Sequence, residues 1–319
     1  MPNLYEYFIL KSLDLLDHNG ELVFIVPDRL GSNSSLTYLR KKLLTENIIK
    51  EIIYRWKFES VIADTMTIIV SKSWQSDYNI KVKYNPSANW LSVAASVYAK
   101  NSGYVFKSYR DYSVYNLVTK IKNENDLLTK YCKTTSGFGG RSELLTHQRL
   151  NKKQIEVIKG NCISKYSIDK TLYFNFKYEN ISGRTRDEMK LGKKEKIFLR
   201  KTGNTIIAAY DKTGIYPEQS LYFLYDFNNK INSKYILVLL NSSLMTWYYL
   251  NELVTNIDST PQLKNYDLDS IPVKESIDYS KNFVPICSNL LSILFCSMRI
   301  VLPEINSPYS IPFKDHFRI

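Results

Sequence analysis

The stretch Ile197–Tyr225 reads IFLRKTGNTIIAAYDKTGIYPEQSLYFLY. Arg200 and Lys201 stand beside a Thr202-Gly203-Asn204 turn, Thr205–Tyr210 is strand-like, and Asp211–Gly214 opens a second turn-plus-strand unit. Cations placed at the turns of two hairpin-like units mark the centre of a basic, β-rich module suited to holding nucleic acid.

The charge around this stretch supports that expectation. The 319-residue chain carries 43 Lys/Arg against 31 Asp/Glu, a net charge of +12 and a pI near 9.2. Between Tyr131 and Ser220 there are 18 Lys/Arg and 9 Asp/Glu, so +9 of the +12 lies there. Such an excess favours polyanions over small neutral metabolites, with a merely soluble surface as the plain alternative. The length accommodates two domains, and 44% hydrophobic residues are enough to build their cores. Cys132, Cys162, Cys287 and Cys296 form no CxxC pair and have no His at ligand spacing, so neither a disulfide framework nor a zinc site is expected. The apolar runs are shorter than a membrane span and no signal peptide is present, so a cytoplasmic location is expected.

Upstream, Leu4–Leu16 is apolar at helical spacing and stops at Asn19-Gly20, a C-cap pair. Glu21–Pro27 (ELVFIVP) is almost wholly apolar and reads as a strand buried on both faces of a parallel sheet. Ser34-Ser35 can cap a helix over Leu36–Glu46 with Leu39, Leu43 and Leu44 inward and Arg40, Lys41 and Lys42 outward. Ile48–Trp56 and Met66–Lys72 give two more strands, the last antiparallel, which together read as the end of a doubly wound α/β domain. Only three strands are found before Gln75, so an open sheet edge is expected at Glu21–Pro27. From Ser73 to Asp126 tyrosines are strewn among Asn, Ser and Lys without a period, as in a connector, apart from a helix near Tyr112–Asn123. Lys234–Leu250 reads as one apolar helix and Phe283–Ile300 as a terminal one.

Several of these pieces carry a family resemblance. Leu4–Phe8, Asn19–Pro27, Leu39–Lys41, Ile49–Ile53 and Phe58–Thr65 resemble the C-terminal half of the methyltransferase domain in TaqI-like and Eco57I-like N6-adenine DNA methyltransferases of restriction-modification systems. Val157–Ile163, Ile197–Tyr225, Tyr235–Tyr249 and Leu268–Val273 resemble the target-recognition domain of the same enzymes, in the same order. The resemblance implies a Rossmann-like, doubly wound α/β lobe that is partial over residues 1–75, a connector over 76–126, a β-rich target-recognition domain with packed helices over 127–275, and a C-terminal helix and tail over 276–319.

It also implies S-adenosylmethionine as cofactor and double-stranded DNA as partner. Family members bind the cofactor through a glycine-rich turn and position the adenine amino group with an Asn/Asp-Pro-Pro-Tyr/Phe loop. Neither is present: Gly20 and Gly31 are the only glycines before Gly103, and no Pro-Pro pair occurs. The expectation is a late start, with the cofactor bound upstream of Met1, no catalytic residue in this chain, and an upstream methyltransferase half or restriction subunit as partner.

By resemblance, Phe58 stacks on the extruded adenine; the plain alternative is a core phenylalanine. Thr134–Arg141 resembles a strand and glycine turn at which backbone approaches a phosphate, with Arg141 adding charge. Lys159 and Lys165 belong to a polar loop facing the same cleft. The charged run Glu179–Lys196, with Arg184, Arg186 and Lys194, is either a solvated face or a loop along the phosphates. Arg200 and Lys201 are expected phosphate contacts, and Asn204 has a side chain able to read a base edge. The expected function is DNA target recognition and base positioning for adenine N6 methylation. The alternatives are a stand-alone specificity subunit or gene remnant, and an RNA-binding or protein-interaction module.

Overall fold

The computed structural model describes residues 4–58, 61–254 and 261–275. Helix α1 (Leu4–Leu15) leads through Asn19, at φ +64°, into β1 (Glu21–Pro27). After α2 (Thr37–Thr45) come β2 (Ile48–Phe58) and β3 (Val61–Ser71), then β4 (Asn79–Lys83) and β5 (Leu91–Ala94), all in one sheet of order β1-β3-β2-β4-β5. The sheet is mixed: β3 is antiparallel to both neighbours, β4 is parallel to β2, and β5 closes antiparallel on β4.

Three expectations are corrected here. β1 is not a doubly buried strand of a parallel sheet. It pairs antiparallel with β3 at the sheet edge, and Val23 and Ile25 are 59% and 55% exposed. The sheet has five strands rather than three, because the Tyr-rich connector supplies β4 and β5 with alternating burial. Arg40 does not face outward and is only 1% exposed. Its guanidinium donates to the carbonyls of Leu30, Asn33, Gly103 and Tyr104 and to the Thr37 hydroxyl, at 2.7 to 3.2 Å. A buried cation is tolerated when its donors are satisfied, so Arg40 ties the turn after β1 to the segment after β5. The cap before α2 is Asn33, whose side chain accepts from Ser35 N, and α2 itself starts at Thr37.

Helix α3 (Ala95–Ala99) and helix α4 (Tyr112–Asn123), the latter capped by Asp111, lead into the basic half. There β6 (Lys133–Ser136), β9 (Lys196–Arg200), β10 (Ala208–Asp211) and β12 (Leu221–Tyr225) form an antiparallel sheet of order β10-β9-β12-β6. A smaller sheet joins β7 (Ile155–Ile158), β8 (Leu172–Phe174) and β11 (Tyr216–Pro217) in the order β8-β7-β11. The continuous apolar run Ile197-Phe198-Leu199 follows from β9 being covered on both faces. Ile197 and Leu199 join the core shared with the first sheet, whereas Phe198 joins a second core with Phe223, Phe138 and Phe174. The turn after β10 is closed by Asp211, whose carboxylate accepts from Thr213 N, Thr213 Oγ1 and Gly214 N, with Gly214 at φ +93°.

The helix expected over Lys234–Leu250 is broken in two. α5 (Ser233–Asn241) ends at Ser242, whose hydroxyl accepts from Met245 N to start α6 (Ser243–Tyr248), and a π-helical turn follows over Tyr249–Leu253. Asn241 is buried and its amide pairs with both backbone groups of Ala208, at 3.0 and 2.9 Å. The terminal helix expected at Phe283–Ile300 lies outside the described residues.

On the π turn, Glu252 is buried and collects Lys107 Nζ at 2.8 Å, Lys122 Nζ at 3.0 Å and the Tyr109 hydroxyl at 2.9 Å. Burial alone raises its carboxyl, but Lys107 and Lys122 outweigh burial and hold it below its ordinary 4.5. A carboxyl lowered by folding contributes stability that is complete above its unfolded value and is lost as pH falls below it. Glu252→Gln should therefore lower stability by about 1–3 kcal/mol at neutral pH. The gap in urea midpoint between the two proteins should narrow as pH falls through 4.5. A gap that is constant into the acid range would contradict this role.

Candidate nucleic-acid interface

The four-stranded sheet carries the expected cations at its turns, and their partners divide them into two groups. Arg200, at the end of β9, points into the domain: Nε donates to Gly160 O at 2.8 Å and a terminal nitrogen to Ile163 O at 2.6 Å. The hydroxyl of Ser220 accepts from Gly160 N at 2.8 Å. The loop at Lys159–Asn161 is thus tied to the end of β9 and the start of β12 by Arg200 and Ser220. Lys165 reaches Asn241 O at 2.9 Å, which fastens the next loop to α5.

Lys201 is also directed inward. It is 7% exposed, its ammonium donates to Ser136 Oγ at 2.6 Å, and it lies 4.2 Å above the Tyr222 ring. Burial first, and then the positive charge of Arg184, bring it down to about 8, with Glu218 pulling the other way. Lys196 is likewise brought down to about 8 by burial, yet Asp211 stands 3.4 Å from its ammonium. Lys201 has no such ion pair among the described residues.

The outward group consists of Arg141, Arg184, Arg186, Lys194 and Asn204, all exposed, with Lys159 half-buried beside them. Arg184 has φ +63°, a left-handed backbone that is uncommon outside glycine and Asn/Asp. The Arg186 guanidinium lies 4.0 Å over the Tyr178 ring and donates to Ile181 O. In the same charged run Lys193 pairs with Asp226 at 2.7 Å and Lys190 with Asp187 at 3.8 Å, which leaves Arg184, Arg186 and Lys194 outside its ion pairs.

The glycine run before Arg141 has a packing cause. A Cβ on Gly137 would come within 2.3 Å of Pro217 O, and one on Gly140 within 2.7 Å of the Phe138 ring. The close approach that the glycines permit is to the protein's own backbone and rings. Phe58 ends β2 at the hairpin with β3 and is 43% exposed, so it is not a core phenylalanine.

A Cβ on Gly31 would lie 3.0 Å from the Tyr54 hydroxyl and 3.2 Å from Phe106 O, so this glycine makes room for protein atoms. Among the described residues no helix is long and apolar enough to cross a membrane. Sequence reasoning missed Arg40 and Glu252, each a charged residue inside a helical segment. The one available signal for Glu252 was its isolation within the apolar run from Tyr235 to Val254.

Residues 155–273 match the TaqI-like C-terminal specificity domain, and residues 1–61 match the Eco57I restriction-modification methylase family. A protein of Methanocaldococcus jannaschii, named provisionally as a type II restriction enzyme and methyltransferase, is 24% identical over 325 residues. The match covers 92% of this chain and 26% of that relative, so the chain spans about a quarter of the relative's length. Among solved structures, the Type IIL restriction-modification enzyme MmeI in complex with DNA aligns with 95% of this chain and 45% of its own, at 11% identity and a TM-score of 0.47. The type IIG restriction endonuclease BpuSI aligns with 92% of this chain and 44% of its own, at 11% identity and a TM-score of 0.35. Structural likenesses of this size carry no argument. It is the sequence matches, in chain order, that bear out the resemblance to Eco57I-like methylases in the first part of the chain and to TaqI-like specificity domains in the second.

Proposed function

We propose that the chain recognises a target in double-stranded DNA and positions one adenine for N6 methylation within a restriction-modification or related defence system. The observation that carries this reading is the order of its two matches, to a methylase family and then to a specificity domain, with Arg141, Arg184, Arg186, Lys194 and Asn204 exposed in the second half of the chain. Those cations lie along the phosphates and supply affinity without reading sequence, while Asn204 reaches a base edge. Arg200 and Lys165 hold the loops in place, and Lys201 adds buried positive charge under Ser136. Phe58 stacks on the extruded adenine at the end of β2.

In this reading the first sheet is the last part of a Rossmann-like methyltransferase sheet. S-adenosylmethionine is the methyl donor and is held by residues outside this chain, whose sequence has neither the glycine-rich turn nor the Asn/Asp-Pro-Pro-Tyr/Phe loop. Transfer therefore requires a methyltransferase half that completes the sheet. The β1 edge supports this, since its outer backbone has no strand partner among the described residues and Val23 and Ile25 are exposed beside it.

Three outcomes follow. Affinity for duplex DNA should fall steeply with salt, and neutralising Arg141, Arg184, Arg186 or Lys194 singly to Gln should lower the log–log salt slope by about 1 each. Fluorescence anisotropy on a labelled duplex measures this, and salt-independent binding would refute it. Labelled methyl transfer to DNA should appear only when a cofactor-binding methyltransferase segment is added, and transfer by this chain alone would overturn the assignment.

Lys201→Met should weaken DNA binding while raising stability by about 1 kcal/mol, because an unpaired buried ammonium is removed. The folded value of about 8 lies below the ordinary 10.5. The unfolded chain thus binds more protons between those values, and wild-type stability should rise with pH through that window and lose this part of its rise in the variant. Thermal melts across the window read the difference, and equal pH slopes would count against it.

A further inference from the structure

The parallel strands β1, β2 and β4 end together on one side of the first sheet, the side on which open α/β sheets receive ligands. There β2 departs from regular pairing. Its register against β3 shifts between Tyr54 and Trp56 and again between Trp56 and Phe58, and Arg55 takes φ +58°. A non-glycine residue in the left-handed region of a strand is strained, and bulges of this kind re-aim side chains.

What the distortion achieves is the placing of one guanidinium. Arg55 lies 3.9 Å over the Tyr84 ring, and its Nη1 donates to Tyr84 O at 2.9 Å, with Ser108 Oγ at 3.5 Å. The side chain is thereby fixed, while Nε and Nη2, the pair that forms one bidentate edge of a guanidinium, have no acceptor among the described residues. Arg55 makes no ion pair there either. Asp28, which lines the same cavity with Ser32, Tyr54, Lys107 and Ser108, is pushed up to about 6 by burial and by Asp64, with the charges of Arg55 and Arg29 pulling the other way. Lys107 is already committed to Glu252. Trp56 and Phe58, the next outward aromatics on the strand, are 36% and 43% exposed.

We propose that Arg55 is a phosphate seat for the target DNA strand, its free Nε/Nη2 edge gripping a phosphate next to the nucleotide whose base lies on Phe58. The inference rests on the DNA-recognition reading above. Three residues of strand span at most about 10 Å, so one nucleotide and its flanking phosphate can touch both side chains. A planar fork held by stacking suits a phosphodiester better than a free lysine does. Arg55 binds the backbone and takes no part in bond making.

The test uses the whole chain and a duplex in which a single adenine faces an abasic position, which lowers the cost of extrusion and fixes the register. Each phosphate flanking the adenine is replaced in turn by an uncharged methylphosphonate. For wild type, one position should lose about tenfold in affinity. Arg55→Gln should lose a similar factor on the native backbone and become insensitive to that one replacement, with Arg55→Lys in between. Tyr84→Leu, which keeps the charge but removes its support, should reproduce part of the loss, and circular dichroism reports whether each variant is folded. Arg55→Gln binding like wild type, losses that add with every replacement, or a wild type with no sensitive position would each overturn the seat. Absence of any duplex binding by the wild type would instead sink the DNA reading itself.

Discussion

A carboxylate with almost no access to water must be met by donors, and the way Glu252 is met organises the junction of the molecule. Lys107 comes from the segment after the first sheet, Lys122 from α4, and Glu252 itself from the π turn that follows the helices packed on the second sheet. Three stretches distant in sequence must therefore assemble before the charge is satisfied. The same knot borders the cavity at the carboxyl ends of β1 and β2, so the residues that fasten the two halves also set the floor beside Arg55. Tyr54, through its bond to Phe106 O, and Arg40, through the carbonyls of Gly103 and Tyr104, hold that floor from the other side.

The basic half follows a related logic. Its central sheet is buried on both faces, so cations near it must be either satisfied or outside. Lys196 and Lys201 are buried, Arg200 is half-buried and Lys165 is exposed, and each spends donors on carbonyls, a hydroxyl or Asp211. Arg141, Arg184, Arg186 and Lys194 are exposed and lie outside the strands. A fixed backbone carrying positive charge outside ion pairs suits a surface that meets a duplex backbone, since the main chain beneath it needs no ordering on binding.

Much of the fold was legible in the sequence where one physical signal dominated. Periodicity gave α1, which ends at Leu15, short of the Asn19-Gly20 pair read as its cap, an apolar stripe gave α4, and the Asp-Lys-Thr-Gly turn was legible because Asp211 closes it locally. The misreadings arose where the deciding partner is remote. Glu21–Pro27 is apolar at both parities, which fits a doubly buried strand, yet its place at the sheet edge depends on which strand pairs with it. β4 and β5 are short and interspersed with Tyr, Asn and Ser, so their alternation was hidden among turn residues. Arg40 looked like any exposed helical cation, and the carbonyls that bury it lie up to 64 residues away. The glycines of Thr134–Arg141 make close approaches within the protein, a demand that a sequence cannot separate from an approach to phosphate. At the candidate site, the charge and the family resemblance located the region, but which cations are free could be seen only from their partners.

Recognition is tested most directly by selection of duplexes from a random-sequence pool by this chain at moderate salt. The account predicts enrichment of one short motif containing an adenine, with non-specific binding lost first as salt rises. A pool that stays unbiased at every salt concentration, or a preference for RNA over duplex DNA, would contradict it.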